Sequence, residues 1–127
     1  MRTDWGFWAF VFLVAGAMIA FGTLGGTVAL GAHPWWADQV AFVGLSVGLP
    51  ASWLIAKLLP SRAQRLGVVT IALILSGLVT YFGKARFVAS FAEDALAGRA
   101  WYFGWMAICA CLVVLALQFI PRAKTRS

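Results

Sequence analysis

Four long apolar runs, separated by short polar segments, constrain this chain more than any other feature. They lie at residues 5–32, 39–59, 66–83 and 101–120. A helix of about 20 apolar residues is long enough to cross the hydrocarbon core of a membrane, and even the shortest run comes close to that length. The sequence therefore predicts an all-α integral membrane protein with four transmembrane helices, folded as a single domain over residues 1–127.

The composition agrees with a membrane location and argues against two other classes of protein. Hydrophobic residues make up 63% of the chain and charged residues only 11%, whereas roughly a quarter of the residues in a soluble domain are charged. The net charge of +6 comes from Lys and Arg between and after the apolar runs, as in the cytoplasmic loops of membrane proteins. We therefore expect membrane lipids as surroundings and no nucleic-acid partner.

The distribution of Lys and Arg predicts the orientation of the four spans. The side that is expected to face the cytoplasm collects Arg2, Lys57, Arg62, Arg65, Arg122, Lys124 and Arg126, and the opposite side has Lys84, Arg86 and Arg99. Because cytoplasmic loops are richer in positive charge, we expect both termini in the cytoplasm. A multi-pass protein of the bacterial cytoplasmic (inner) membrane is the predicted location.

Glycine pairs in the first two runs are candidates for close helix packing. Gly22 and Gly26 form one pair with the spacing that lets helix backbones approach in membranes, and Gly44 and Gly48 form another. Pro50 follows the second pair, and a proline inside a helix removes a backbone hydrogen bond and favours a kink. The second span is thus predicted to be the packing centre, and residues 46–50 are the place to look for a transport path.

Residues 84–99 form the longest polar connection and allow two structures. Apolar side chains recur there at helical spacing, which favours a short amphipathic helix lying on the membrane. Alternatively, Ser90 and Glu93 have the spacing of a capping box that would begin the last helix. This connection also holds the candidates for docking a partner, which are Phe87, Phe91, Glu93 and Asp94.

Most tryptophans lie near the predicted span ends, where aromatic side chains anchor helices at the membrane surface. The predicted interfacial anchors are Trp5, Trp8, Trp35, Trp36, Trp101 and Trp105.

The sequence contains no motif that indicates catalysis, a metal centre or a cofactor, so no enzyme is predicted. His33 is the only histidine, which rules out a multi-histidine metal centre; it is expected to be a loop residue, with ligation of a single pigment or ion, helped by Asp38, as the alternative. No ionisable side chain falls in the middle of a span, although proton and ion pathways normally need such groups. A bound lipid, quinone or pigment supplied by a host complex is left open.

Two functions follow from this architecture. The first is a non-catalytic accessory, structural or assembly subunit of a larger membrane protein complex, with a respiratory or photosynthetic complex as the expected host. The alternative is a small channel, or the minor membrane subunit of a transporter acting as an oligomer, in which the Pro50 region forms a hinged helix.

Overall fold

The computed structural model describes residues 5–119 and contains five helices in that range. They are α1 (Trp5–Thr23), α2 (Gly26–Ala29), α3 (Ala37–Leu58), α4 (Arg62–Ala89) and α5 (Ala95–Leu117). Four of them, all except the single-turn α2, are long and apolar enough to cross a membrane. The prediction of an all-helical, multi-pass membrane protein is confirmed at this level.

The first helix is shorter than the apolar run that contains it, because α1 ends at Thr23 rather than continuing to residue 32. Gly25 and Gly31 adopt φ angles of 89° and 116°, a left-handed conformation that interrupts a right-handed helix and that glycine adopts without steric cost. Between them, α2 is held against the next helix by the buried Thr27 hydroxyl, which donates to the Ala37 carbonyl at 3.1 Å.

The prediction of a separate amphipathic helix between the third and fourth spans is wrong. Instead α4 runs 28 residues to Ala89, and only residues 90–94 connect it to α5. Ser90 closes this turn, since its hydroxyl donates to the Phe87 carbonyl and accepts from the Asp94 amide, both at 2.9 Å. The alternative capping box is wrong as well, because Asp94 is the N-cap of α5 and accepts from the Ala97 amide at 3.0 Å.

Helix α5 lies at the centre of the molecule and packs against α1, α3 and α4. It runs antiparallel to α4, so that Gly83 lies opposite Trp101 and Arg65 opposite Gln118. It runs parallel to α3, with Gly48 against Val113. The helix is apolar around most of its circumference, as expected of a helix with neighbours on several sides.

The prediction that the second span is the packing centre is therefore wrong. Among the described residues, the completely buried side chains include Val40 on α3 and both Cys109 and Val113 on α5, each 0% exposed. More buried residues lie on α5 than on any other helix. Small residues on α3 allow it to pack close to α5, but α5 is the helix that contacts all three of α1, α3 and α4.

Candidate functional site

An aromatic cluster around Trp101 lies at the end of the bundle where α5 begins. The cluster, called here the Trp101 cluster, consists of His33, Trp36, Phe87, Trp101 and Tyr102. The ring of Trp101 lies 5.7 Å from that of His33, 5.2 Å from that of Trp36 and 5.7 Å from that of Phe87. Tyr102 joins through Trp36, at 5.0 Å. All of these pairs except that of Phe87 and Trp101 are edge-to-face, and such pairs are favourable beyond the area that they bury.

The loop between α2 and α3 folds over α5 and buries Trp101. The indole Nε1 donates to the Gly31 carbonyl at 3.1 Å, so the left-handed Gly31 supplies the acceptor that a buried indole needs. Trp101 is 6% exposed. The cluster thus joins three parts of the chain, which are the loop at residues 31–36, the end of α4 and the beginning of α5.

His33 is part of this packing. Its Nδ1 accepts a hydrogen bond from the Trp35 amide at 3.1 Å, and its ring stacks on Trp36 at 6.0 Å. Within residues 5–119, no three His, Cys, Asp or Glu side chains are grouped so that they could hold a metal ion. The contacts of His33 are those of a loop residue that packs on aromatic neighbours.

Two grooves open on either side of Trp101. The larger, called here the Lys84 groove, has a volume of about 620 Å³ and lies between the Leu30–Gly31 turn, α4 and α5. The other has a volume of about 400 Å³ and is lined by His33, Trp35, Tyr102 and Arg99, among others. Each is mainly apolar and aromatic, with one basic side chain at its edge. Such an arrangement can bind an amphipathic molecule.

Comparisons with known proteins identify no relative of this chain. No family model matches the chain, and no curated protein or solved structure is detectably similar to it.

The opposite end of the bundle contains a buried polar contact that sequence reasoning missed. Arg65 and Gln118 are each 6% exposed, and the Arg65 Nε donates to the Gln118 Oε1 at 2.6 Å. The Arg65 Nη1 also donates to the carbonyls of Leu59 and Pro60, each at 2.8 Å. A basic side chain that binds the last carbonyls of a helix stabilises the helix end. Arg65 therefore ties the C-terminal end of α3 to that of α5.

The packing candidates fall into two groups. Gly44 and Gly48 lie directly against Cys109 and Val113 of α5, and Gly22 lies against Ala41 of α3. Gly26, in contrast, contacts Phe21 of the helix before it, because α1 has already ended and the pair does not share one helix face. Pro50 is exposed on α3, which continues past it as a helix.

The docking candidates also divide. Phe87 belongs to the Trp101 cluster and covers Gly98, while Asp94 caps α5 and lies 4.0 Å from Arg86. Phe91 is 90% exposed, and Glu93 is exposed as well. The backbone at Phe91 and Ala92 has φ angles of 56° and 68°, which side chains other than glycine adopt at a cost.

The predicted interfacial anchors include two residues that the structure places in the core. Trp5 and Trp35 are more than four-fifths exposed, at 82% and 89%, and Trp8 is 48% exposed. Trp101 and Trp105 are 6% and 5% exposed, so these two side chains pack inside the bundle, and their role as interfacial anchors stays a prediction. Trp36 is partly buried in the Trp101 cluster. The loop at residues 31–36 covers this end of α5, so that Trp101 contacts protein atoms of the loop.

Proposed function

We propose that this protein is a non-catalytic accessory, structural or assembly subunit of a larger membrane protein complex, in a bacterial cytoplasmic membrane with both termini in the cytoplasm. The observation that carries the proposal is the incomplete packing of α4. In the described part of the chain, α5 is the only helix with which α4 has an extended contact. The opposite side of α4 has no neighbour there, although α4 is the longest helix.

The unpartnered side, called here the free face of α4, consists of Gly67, Ile71, Ile74, Leu78 and Phe82. At about 100° per residue, these positions lie roughly opposite the stripe that faces α5, where Val69 and Thr80 are buried. The four large side chains of the free face are 49–60% exposed. Such apolar side chains can contact lipid, but they can equally pack against a second helix.

Gly67 favours a second helix, rather than lipid, as the neighbour of the free face. A Cβ at this position meets no atom of the described residues within 4 Å, so no close approach among residues 5–119 requires glycine there. Glycine on an exposed face of a membrane helix lowers helix propensity and allows another backbone to approach closely. The free face therefore suits a helix of another subunit.

Crosslinking in native membranes tests this proposal. A photoreactive amino acid at Ile74 or Leu78 is expected to give adducts with one larger foreign subunit, identified by mass spectrometry. Phe12 on α1, which is 71% exposed, is the control for contact that any lipid-facing side chain makes. Extraction in mild detergent as a discrete homo-oligomer, with no foreign adduct from α4, would overturn the proposal.

The host expected from the sequence, a respiratory or photosynthetic complex, is the first to look for among the crosslinked proteins. The channel or transporter alternative stays a prediction. Ser46 and Pro50, on which it depends, are both exposed on α3, whereas Gly44 and Gly48 face α5.

A further inference from the structure

We propose that the Lys84 groove binds an anionic phospholipid of the surrounding membrane, with the lipid phosphate at Lys84 and an acyl chain in the groove. This site lies between α4 and α5, at the side of α4 next to the free face, and it does not depend on the proposed partner subunit.

The cation at the edge of the groove has no acidic partner among residues 5–119. The only ion pair there joins Arg86 to Asp94. The Lys84 Nζ instead lies 5.6 Å from the centre of the Trp101 ring and 3.3 Å from the position of a Cβ on Gly31. The ring and the Leu30–Gly31 turn thus hold the ammonium group at the groove, where its charge is left for a ligand.

The rest of the groove is suited to hydrocarbon. From Lys84 it continues past Tyr81 to Gly77 on α4, and past Trp105 to Ile108 on α5. Gly77 lies two helical turns from Lys84, which is about 10 Å along the helix. Thr80, the polar residue between them, is satisfied by the Ser76 carbonyl at 2.7 Å. A soluble anion such as free phosphate would leave this apolar part empty.

The position of the groove in the membrane favours a phospholipid as its ligand. Lys84 follows the apolar run of α4, so its ammonium group lies at the level of the lipid headgroups, and the apolar part extends toward the hydrocarbon. A phospholipid places its phosphate and acyl chains at these two levels. Basic pockets between transmembrane helices on the cytoplasmic side of membranes bind anionic headgroups, and the Lys84 groove has the same combination of a cation and an apolar cleft on the opposite side.

Native mass spectrometry of the detergent-solubilised full chain tests the proposal, with phosphatidylglycerol and phosphatidylcholine of identical acyl chains as competing probes. The unmodified protein is expected to retain phosphatidylglycerol preferentially. Lys84→Gln should lower that preference about fivefold, which corresponds to the ~1 kcal/mol that one Lys contributes at an anionic surface. Lys57→Gln is the matched control, because Lys57 also lies over a tryptophan ring, at 4.8 Å from that of Trp53, but not in this groove.

A second pair of variants tests the apolar part. Gly77→Leu adds an isobutyl group to the groove, and its Cβ has no neighbour within 4 Å among the described residues. The variant should reduce phospholipid retention while leaving the charge in place. Gly16→Leu, on α1 and outside the groove, should have no effect, because a Cβ at Gly16 also has no neighbour within 4 Å. Equal losses with Lys84→Gln and Lys57→Gln would overturn the proposal, as would unchanged retention in Gly77→Leu or the retention of a neutral quinone in place of the phospholipid. Circular dichroism of each variant confirms that it is folded.

Discussion

Arg65 and Gln118 are hydrogen-bonded to each other across the bundle, with 2.6 Å between the Arg65 Nε and the Gln118 Oε1. The two residues belong to α4 and to the C-terminal end of α5, and both are buried. Since Arg65 also binds the carbonyls of Leu59 and Pro60, one guanidinium group connects three helices. The stability of this end of the bundle is therefore expected to depend on a single side chain.

Gln118→Leu removes the acceptor of this hydrogen bond and keeps most of the volume of the side chain. A buried donor left without an acceptor costs about 1–3 kcal/mol, so the variant should lower the free energy of unfolding by about 2 kcal/mol in a mild detergent. Arg65→Met with Gln118→Leu should cost less than the sum of the two single changes, because the pair is coupled. Additive losses would show that the hydrogen bond is not important. Gln64→Leu, which makes the same chemical change at an exposed position of the same helix turn, is the control.

Gly44→Ala is expected to destabilise the contact between α3 and α5. The added methyl group would overlap the Cys109 Cβ and lie 2.9 Å from the Ala110 amide nitrogen, and overpacking of this kind costs about 1–3 kcal/mol. Gly16→Ala makes the same chemical change on α1 where no atom lies within 4 Å, and there the better helix propensity of alanine should dominate. Thermal unfolding of the two variants side by side measures the difference. A similar midpoint for both would contradict the close approach of α3 to α5.

Asp94→Ala is expected to lower stability by about 1 kcal/mol through loss of the N-cap of α5. Asp94→Asn separates this role from the ion pair with Arg86. The Arg86 side chain is 77% exposed, and exposed ion pairs contribute little, so asparagine should restore most of the stability. If Asn were as destabilising as Ala, the carboxylate charge rather than the cap would be responsible. Chemical denaturation of the three proteins provides the comparison.

The proposed orientation predicts which turns can be reached from outside the cell. Glu93→Cys, in the connection between α4 and α5, should react with a membrane-impermeant maleimide on intact cells. Ser61→Cys, at the exposed beginning of α4, should react only after the cells are opened. Cys109 and Cys111 are replaced by Ala in both proteins to remove the native thiols. The reverse pattern of labelling would show that the orientation is opposite to the proposed one.

Hydropathy alone predicted the four long helices but not where they end. The apolar run of α1 continues past the point where Gly25 adopts a left-handed conformation, and that of α4 stops before the helix does. These ends depend on local hydrogen bonds, such as those of Ser90 and Asp94. The alternatives for residues 84–99 could not be separated from the sequence, because several polar residues there have the spacing of a cap.

The burial of Trp101 shows why the candidate site was harder to predict. A tryptophan at the end of an apolar run is usually at the membrane surface, and nothing in the local sequence distinguishes Trp101 from Trp5. The difference arises from the loop at residues 31–36, which reaches Trp101 across 70 positions of the chain. Arg65 was missed for the same reason, since its acceptor on α5 lies 53 positions away.

The central position of α5 determines how a nascent chain reaches its final structure. Ribosomes deliver α1, α3 and α4 to the membrane before α5, and α1 can pair early with α3 through Gly22 and Ala41. Helix α4 has no such early partner, because its extended helix contact is with α5. We therefore expect α4 to enter the membrane as a separate helix during biosynthesis and to gain its extended helix contact only after α5 has been inserted.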